Sequence, residues 1–126
     1  MSTSVRLAAL LSATIVLSAC GAPEVPERMP FAEPGVEFEI TPVDRNCTPD
    51  GAYVARVSWE VPQSMGSKIE VQVGADERKV FTRSNEAVGS EETGQWTSAG
   101  MVFVLTERDS GMVLAAKQAG PGNCGG

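Results

Sequence analysis

Tyr53-Val54-Ala55-Arg56-Val57-Ser58-Trp59-Glu60-Val61 alternates large apolar side chains with mostly polar ones. Tyr53, Ala55, Val57, Trp59 and Val61 share one face, and Ala52, Val54, Arg56, Ser58 and Glu60 share the other, mostly polar one. A period of two is that of a strand covered on one side. Working outward, Ile69, Val71 and Val73 repeat the pattern against Lys68, Glu70 and Gln72. Met101 to Leu105 is apolar on both faces and reads as a central strand, with Gln95 to Thr97 and Met112 to Ala116 as its expected neighbours. Val36 to Thr41 and Lys79 to Thr82 bring the expected count to seven. Gly and Asn turns separate these runs, and no long stretch has the helical period of 3.6. The expectation is an all-β chain with a single seven-stranded antiparallel β-sandwich over residues 36–126.

Val57-Ser58-Trp59-Glu60-Val61-Pro62 resembles the second strand of fibronectin type III modules, where a core tryptophan is followed shortly by proline. The resemblance implies an immunoglobulin-like sandwich with Trp59 packed between the sheets. It leaves the choice between an immunoglobulin and a fibronectin type III topology open, and a sandwich implies no chemistry by itself.

At the other end of the chain, Leu7 to Ser18 is apolar but spans only 12 residues. A membrane-spanning helix needs roughly 20. Arg6 before it and small residues after it match a signal peptide. Leu17-Ser18-Ala19-Cys20 resembles the lipobox of bacterial lipoproteins. That resemblance implies cleavage before Cys20, acylation (palmitate among the chains) of its thiol, and attachment of the mature protein to an envelope membrane. Gly21 stands where an aspartate would retain some lipoproteins at the inner membrane. The outer membrane, facing the periplasm or the cell surface, is therefore the implied address. The expected organisation is a signal peptide at 1–19, a lipidated cysteine with a Pro-rich acidic tether at 20–35, and the sandwich at 36–126. Pro23, Pro26, Pro30 and Pro34 alternate with Glu24, Glu27 and Glu33. In polyproline II form such a tether reaches up to about 40 Å.

Cleavage leaves 107 of the 126 residues and a net charge of −7, from nine bases and sixteen acids. Acidity of that size disfavours nucleic acid, and assigns membrane attachment to the acyl chains on Cys20 and not to a basic surface. The chain has three cysteines, an odd number for an exported protein, and lipidation of Cys20 accounts for the odd one. Cys47 and Cys124 then remain as a pair for which an oxidising compartment makes a disulfide the expectation, with two free thiols as the alternative. In an up-and-down order the seventh strand ends level with the first turn, where Cys47 lies, so the bridge is within reach.

With no histidine in the chain, Ser-His-Asp and Cys-His catalysis are excluded. Glu91 and Glu92 are adjacent, so on a strand they point to opposite faces and do not converge on one bond. Asp44 with Asp50, and Asp76 with Glu77, lack the alternating oxygen-ligand spacing of a calcium loop. The expectation is a non-enzymatic protein without metal or cofactor. Recognition remains. Ser84 to Gln95 is polar and long for a link between strands, and Trp96 follows it directly. The candidate binding residues are Trp96, Asn85, Glu91 and Gln95; the alternative for Trp96 is a core position facing Phe103. An exposed Trp96 beside those polar side chains suits a carbohydrate or wall-polymer ligand. An apolar patch on an edge strand suits an envelope protein partner, which is the favoured reading.

Overall fold

The computed structural model describes residues 25–125. The apolar run from Leu7 and the Leu17–Cys20 motif lie outside the described residues. Among the described residues, no helix is long and apolar enough to cross a membrane.

Apart from one 3-10 turn at Gln63–Met65, the regular structure of the described residues is all β, with two antiparallel sheets packed as a sandwich. The strands are β1 (Phe31–Ala32), β2 (Glu37–Cys47), β3 (Tyr53–Glu60), β4 (Ile69–Val73), β5 (Lys79–Ser84), β6 (Val88–Glu92), β7 (Val102–Glu107) and β8 (Val113–Gln118). One sheet has the order β1-β8-β7-β4-β5 and the other β2-β3-β6. The alternation in β3 does what its period dictates: Tyr53, Ala55, Val57 and Trp59 are buried between the sheets, together with Phe38 and Ile40 of β2. Ile69, Val71, Phe103 and Leu105 meet them from the five-stranded side.

Three expectations are corrected. There are eight strands among the described residues, not seven. Gln95 to Thr97 is not a strand beside β7; only Thr97 pairs, with Tyr53, and the partner of β7 on that side is β4. The strand lies instead within the polar connection, as β6, which pairs with β3 from Arg56↔Glu92 to Glu60↔Val88. Its side chains are exposed because it forms an edge, so the sequence carries no apolar alternation there.

The eighth strand, β1, falls in the stretch expected to be tether. Phe31 pairs with Ala116 and Ala32 with Ala115, and the Glu33 amide donates to the Leu114 carbonyl. The physical cause is the outer surface of the five-stranded sheet. Val102, Val104, Val113 and Ala116 form a second apolar cluster there, and Val25, Met29 and Phe31 pack over it. The prolines in this lead keep it extended, while the apolar residues between them give it a surface to lie on.

Cys47 and Cys124 form a disulfide, with a Cα–Cα distance of 5.5 Å. It fastens the C-terminal tail to the end of β2. Tyr53 fastens the same tail to β3: its hydroxyl donates to the Gly120 carbonyl at 2.6 Å, and burial raises the phenol above its ordinary pKa.

Candidate functional site

Between β6 and β7 the chain makes a tight turn whose ends are fixed by two buried threonines. The Thr93 hydroxyl accepts from the Ala55 amide at 2.9 Å and donates to the Gly94 carbonyl at 2.7 Å. Its one proton is thereby used, so the Thr97 hydroxyl, 2.9 Å away, is the donor of that pair. Thr97 is also held by both backbone bonds to Tyr53. Between these anchors the Trp96 amide donates to the Gly94 carbonyl at 2.8 Å. A Cβ on Gly94 would stand 2.7 Å from Trp96 Cδ1, so glycine is what lets the indole lie where it does.

The Trp96 ring stacks on Phe103, centroids 6.2 Å apart at 15°, and meets Phe81 edge-on at 5.6 Å. Phe81 is the extra residue of a β-bulge in β5, and it also meets Phe103 edge-on at 6.4 Å. Trp96 thus caps the core without entering it and remains 40 % exposed. The core alternative for Trp96 describes the face on Phe103; recognition describes the part left in solvent. In front of it is a shallow groove of about 300 Å³ lined by Val73, Lys79, Val80, Phe81 and Trp96. Val80 is 49 % exposed, and β5 is an edge strand, so one row of its backbone groups has no neighbouring strand.

None of Asn85, Glu91 and Gln95 lines this groove. Asn85 follows the far end of β5, about 13 Å along the strand from Phe81, and accepts a hydrogen bond from the Arg108 guanidinium. Glu91 stands on β6 opposite Val57, in the other sheet. Gln95 is turned toward β2, its amide donating to the Asn46 carbonyl at 3.4 Å. The single polar surface that a glycan platform would require around Trp96 is not assembled. Sequence reasoning missed Val73, Val80 and Phe81 because groove residues on β4 and β5 carry the same apolar signature as core residues. The one available signal was the mixed Lys79-Val80-Phe81-Thr82-Arg83 run, charged at both ends as an edge strand often is.

A second groove, of about 380 Å³, lies on the outer surface of the five-stranded sheet and is lined by Glu70, Gln72, Arg78, Arg83, Thr106 and Arg108 among others. Glu70 organises it. Arg83 Nε donates to one carboxylate oxygen at 2.7 Å and Gln72 Nε2 to the other at 2.5 Å. Burial alone would raise the Glu70 pKa, but these hydrogen bonds and the charges of Arg83 and Arg108 outweigh it and hold the carboxyl below its usual range. Arg108 Nε and Gln72 Oε1 are buried without a hydrogen-bond partner. Among the described residues no three His, Cys, Asp or Glu side chains come together as metal ligands.

Compared with known proteins, the chain matches no family model, no curated sequence and no solved structure.

Proposed function

We propose that this protein is a non-catalytic binding lipoprotein of the bacterial envelope, anchored through acyl chains on Cys20, which takes a protein partner along the edge strand β5. The observation that carries the partner reading is the apolar groove at Trp96 and Val80, open to solvent beside that edge. Proteins commonly recognise extended segments by adding a strand to such an edge, with side-chain grooves supplying selectivity. The aromatic anchor is rigid: Phe103 and Phe81 fix the indole, so little rotamer freedom is lost on binding. A fibronectin type III-like topology belongs to the same reading. Its support is that β2, β3 and β6 form one sheet while β8, β7, β4 and β5 run consecutively in the other, the distribution of strands A, B, E and G, F, C, C′ in sandwiches of this class.

Two experiments test it. Cys20→Ser should move the protein from the membrane fraction to the soluble fraction; a variant that still pellets after a high-salt wash refutes the anchor. A photo-crosslinking residue at Val80 should capture a discrete envelope protein, and Trp96→Ala should abolish that adduct. The same crosslinker at Ser58, on the outer surface of the other sheet, should capture nothing in common with it. Equal adducts from both positions would refute the β5 site.

A further inference from the structure

We infer that the outer face of the five-stranded sheet lies against the lipid headgroups of the membrane that holds Cys20. The inference rests on the anchoring read from Cys20 and adds to it a distance and an orientation.

The distance follows from the docked lead. Val25 packs on the cluster of Val102, Val104, Val113 and Ala116, which is on the outer surface of that sheet. Five residue steps separate Cys20 from Val25. Even fully extended, they span no more than about 18 Å. A free tether would have let the domain stand about 40 Å away and tumble. Instead the chain reaches the domain on one particular face and close by.

Charge distinguishes that face from the one behind it. The strand register puts Glu37, Glu39, Glu60 and Glu92 on the outer surface of the three-stranded sheet, where Arg56 pairs with Glu92 and Lys117 reaches Glu39, so the surface keeps an excess of two acids among these six groups. The opposite surface carries the groove of Arg78, Arg83 and Arg108 against Glu70 and Glu107. Glu70 aligns with Thr106 and Arg83, on the same surface as Val104, Ala116 and Phe31, so groove and docked lead share one face. A leaflet of anionic phospholipid repels the four-glutamate surface and attracts the arginine one. Arginine donors suit headgroup phosphate, and the Arg83 side chain is 60 % exposed beside its partner Glu70.

The test uses the full acylated chain on vesicles of phosphatidylethanolamine and phosphatidylglycerol carrying a headgroup nitroxide quencher. A fluorophore is attached at Gln118→Cys, which the register pairs with Val102 on the face that carries the docked lead, or at Ser90→Cys, aligned with Ser58 on the glutamate side. Expected are several-fold stronger quenching at position 118 than at 90, and loss of that difference in the lead-undocking variant Met29→Asp with Phe31→Asp. Equal quenching at the two positions, stronger quenching at 90, or a difference that survives undocking would overturn the inference. Intact mass of the protein and its co-sedimentation with vesicles report acylation separately, so failure of the anchor is not mistaken for failure of the orientation. Circular dichroism of the undocked variant checks that the sandwich remains folded.

Discussion

Gly89 on β6 gives the sharpest test of how the core is packed. It pairs with Trp59, and a Cβ built on it would lie 2.7 Å from Cζ2 and 3.1 Å from Cε2 of the indole. Gly89 has no positive φ, so Gly89→Ala introduces no backbone strain. Two effects then compete. Replacing glycine in a strand with alanine relieves chain entropy and gains about 0.5–1 kcal/mol. Forcing a methyl group into the flank of a side chain only 4 % exposed costs about 1–3 kcal/mol. The tryptophan has little room to yield, because its Nε1 is tied to the Glu86 carbonyl at 3.1 Å. Overpacking therefore wins, and Gly89→Ala should lower stability by about 1–2 kcal/mol. Trp59→Phe removes the obstructing six-membered ring of the indole and the bond to Glu86, at a cost of about 2 kcal/mol. In the double variant the added methyl fills part of the space vacated, so the two costs should fall short of their sum by about 1 kcal/mol. Urea unfolding followed by far-UV circular dichroism measures all four corners of the cycle. A neutral or stabilising Gly89→Ala, or single costs that add to within about 0.3–0.5 kcal/mol, would show that β6 does not clamp Trp59 as described.

The remaining expectations concern the disulfide, the β7–β8 turn and the exposed tryptophan. The Cys47–Cys124 bridge closes a loop of 77 residues, for which chain entropy gives about 4.5 kcal/mol as an upper figure; reduction should lower the unfolding midpoint sharply, and free thiols in the unreduced native protein would exclude the bridge. Glu107 accepts from the Ser110 hydroxyl and from the Ser110 and Asp109 amides, and these bonds hold its carboxyl below the usual range. A depressed carboxyl stabilises the fold above the ordinary glutamate value of about 4.3, and that contribution disappears as the pH falls through the folded-state pKa. Glu107→Gln should thus unfold more readily than wild type at neutral pH, with the gap between the two closing in acid; a gap constant with pH would refute the assignment. Trp96→Ala should cost only about 1–2 kcal/mol, since it loses two aromatic contacts from a partly exposed ring, and a loss as large as that of Trp59→Ala would place Trp96 in the core.

What was legible in the sequence follows the strength of its periodicity. The strands β3, β4, β7 and β8 bury one face or both, so their alternation or apolar runs announce them. The placement of Trp59 follows from the same logic, whereas the pairing of Cys47 with Cys124 was legible from cysteine count, two cysteines remaining once Cys20 is set aside. Strand β6 was illegible because an edge strand with Gly89 against an indole and glutamates outside has no apolar face to show. Strand β1 was hidden by prolines, which read as linker, although Val25, Met29 and Phe31 between them are the side chains that dock. At the candidate groove, Trp96 could be picked out as an aromatic at the end of a polar loop. Val73, Val80 and Phe81 could not, because only the fold brings β5 beside the β6–β7 turn. The polar companions nearest in sequence, Asn85 and Glu91, are carried away by β6 itself: Glu91 is part of that strand, paired to β3 in the other sheet, and Asn85 lies beyond its far end.

The two sheets differ in width, and that difference explains why the lead belongs to the domain. A three-stranded sheet can expose an outer face of Glu37, Glu39, Ser58, Glu60 and Ser90, since each is polar. The five-stranded sheet has β7 at its centre, and all six residues of β7 are buried. Its inward residues Phe103 and Leu105 are covered by the opposing sheet; its outward residues Val102 and Val104 are not, and something else must cover them. Val25, Met29 and Phe31 do so. A fragment cut at Val36, where the strand alternation first becomes regular, would strip that cover and leave an apolar strip on the sheet, the kind of surface through which soluble proteins associate. The Pro-rich segment therefore serves the fold first. By binding to the sheet it also surrenders most of its length as a spacer, so the same contacts that complete the core fix where the chain leaves the domain.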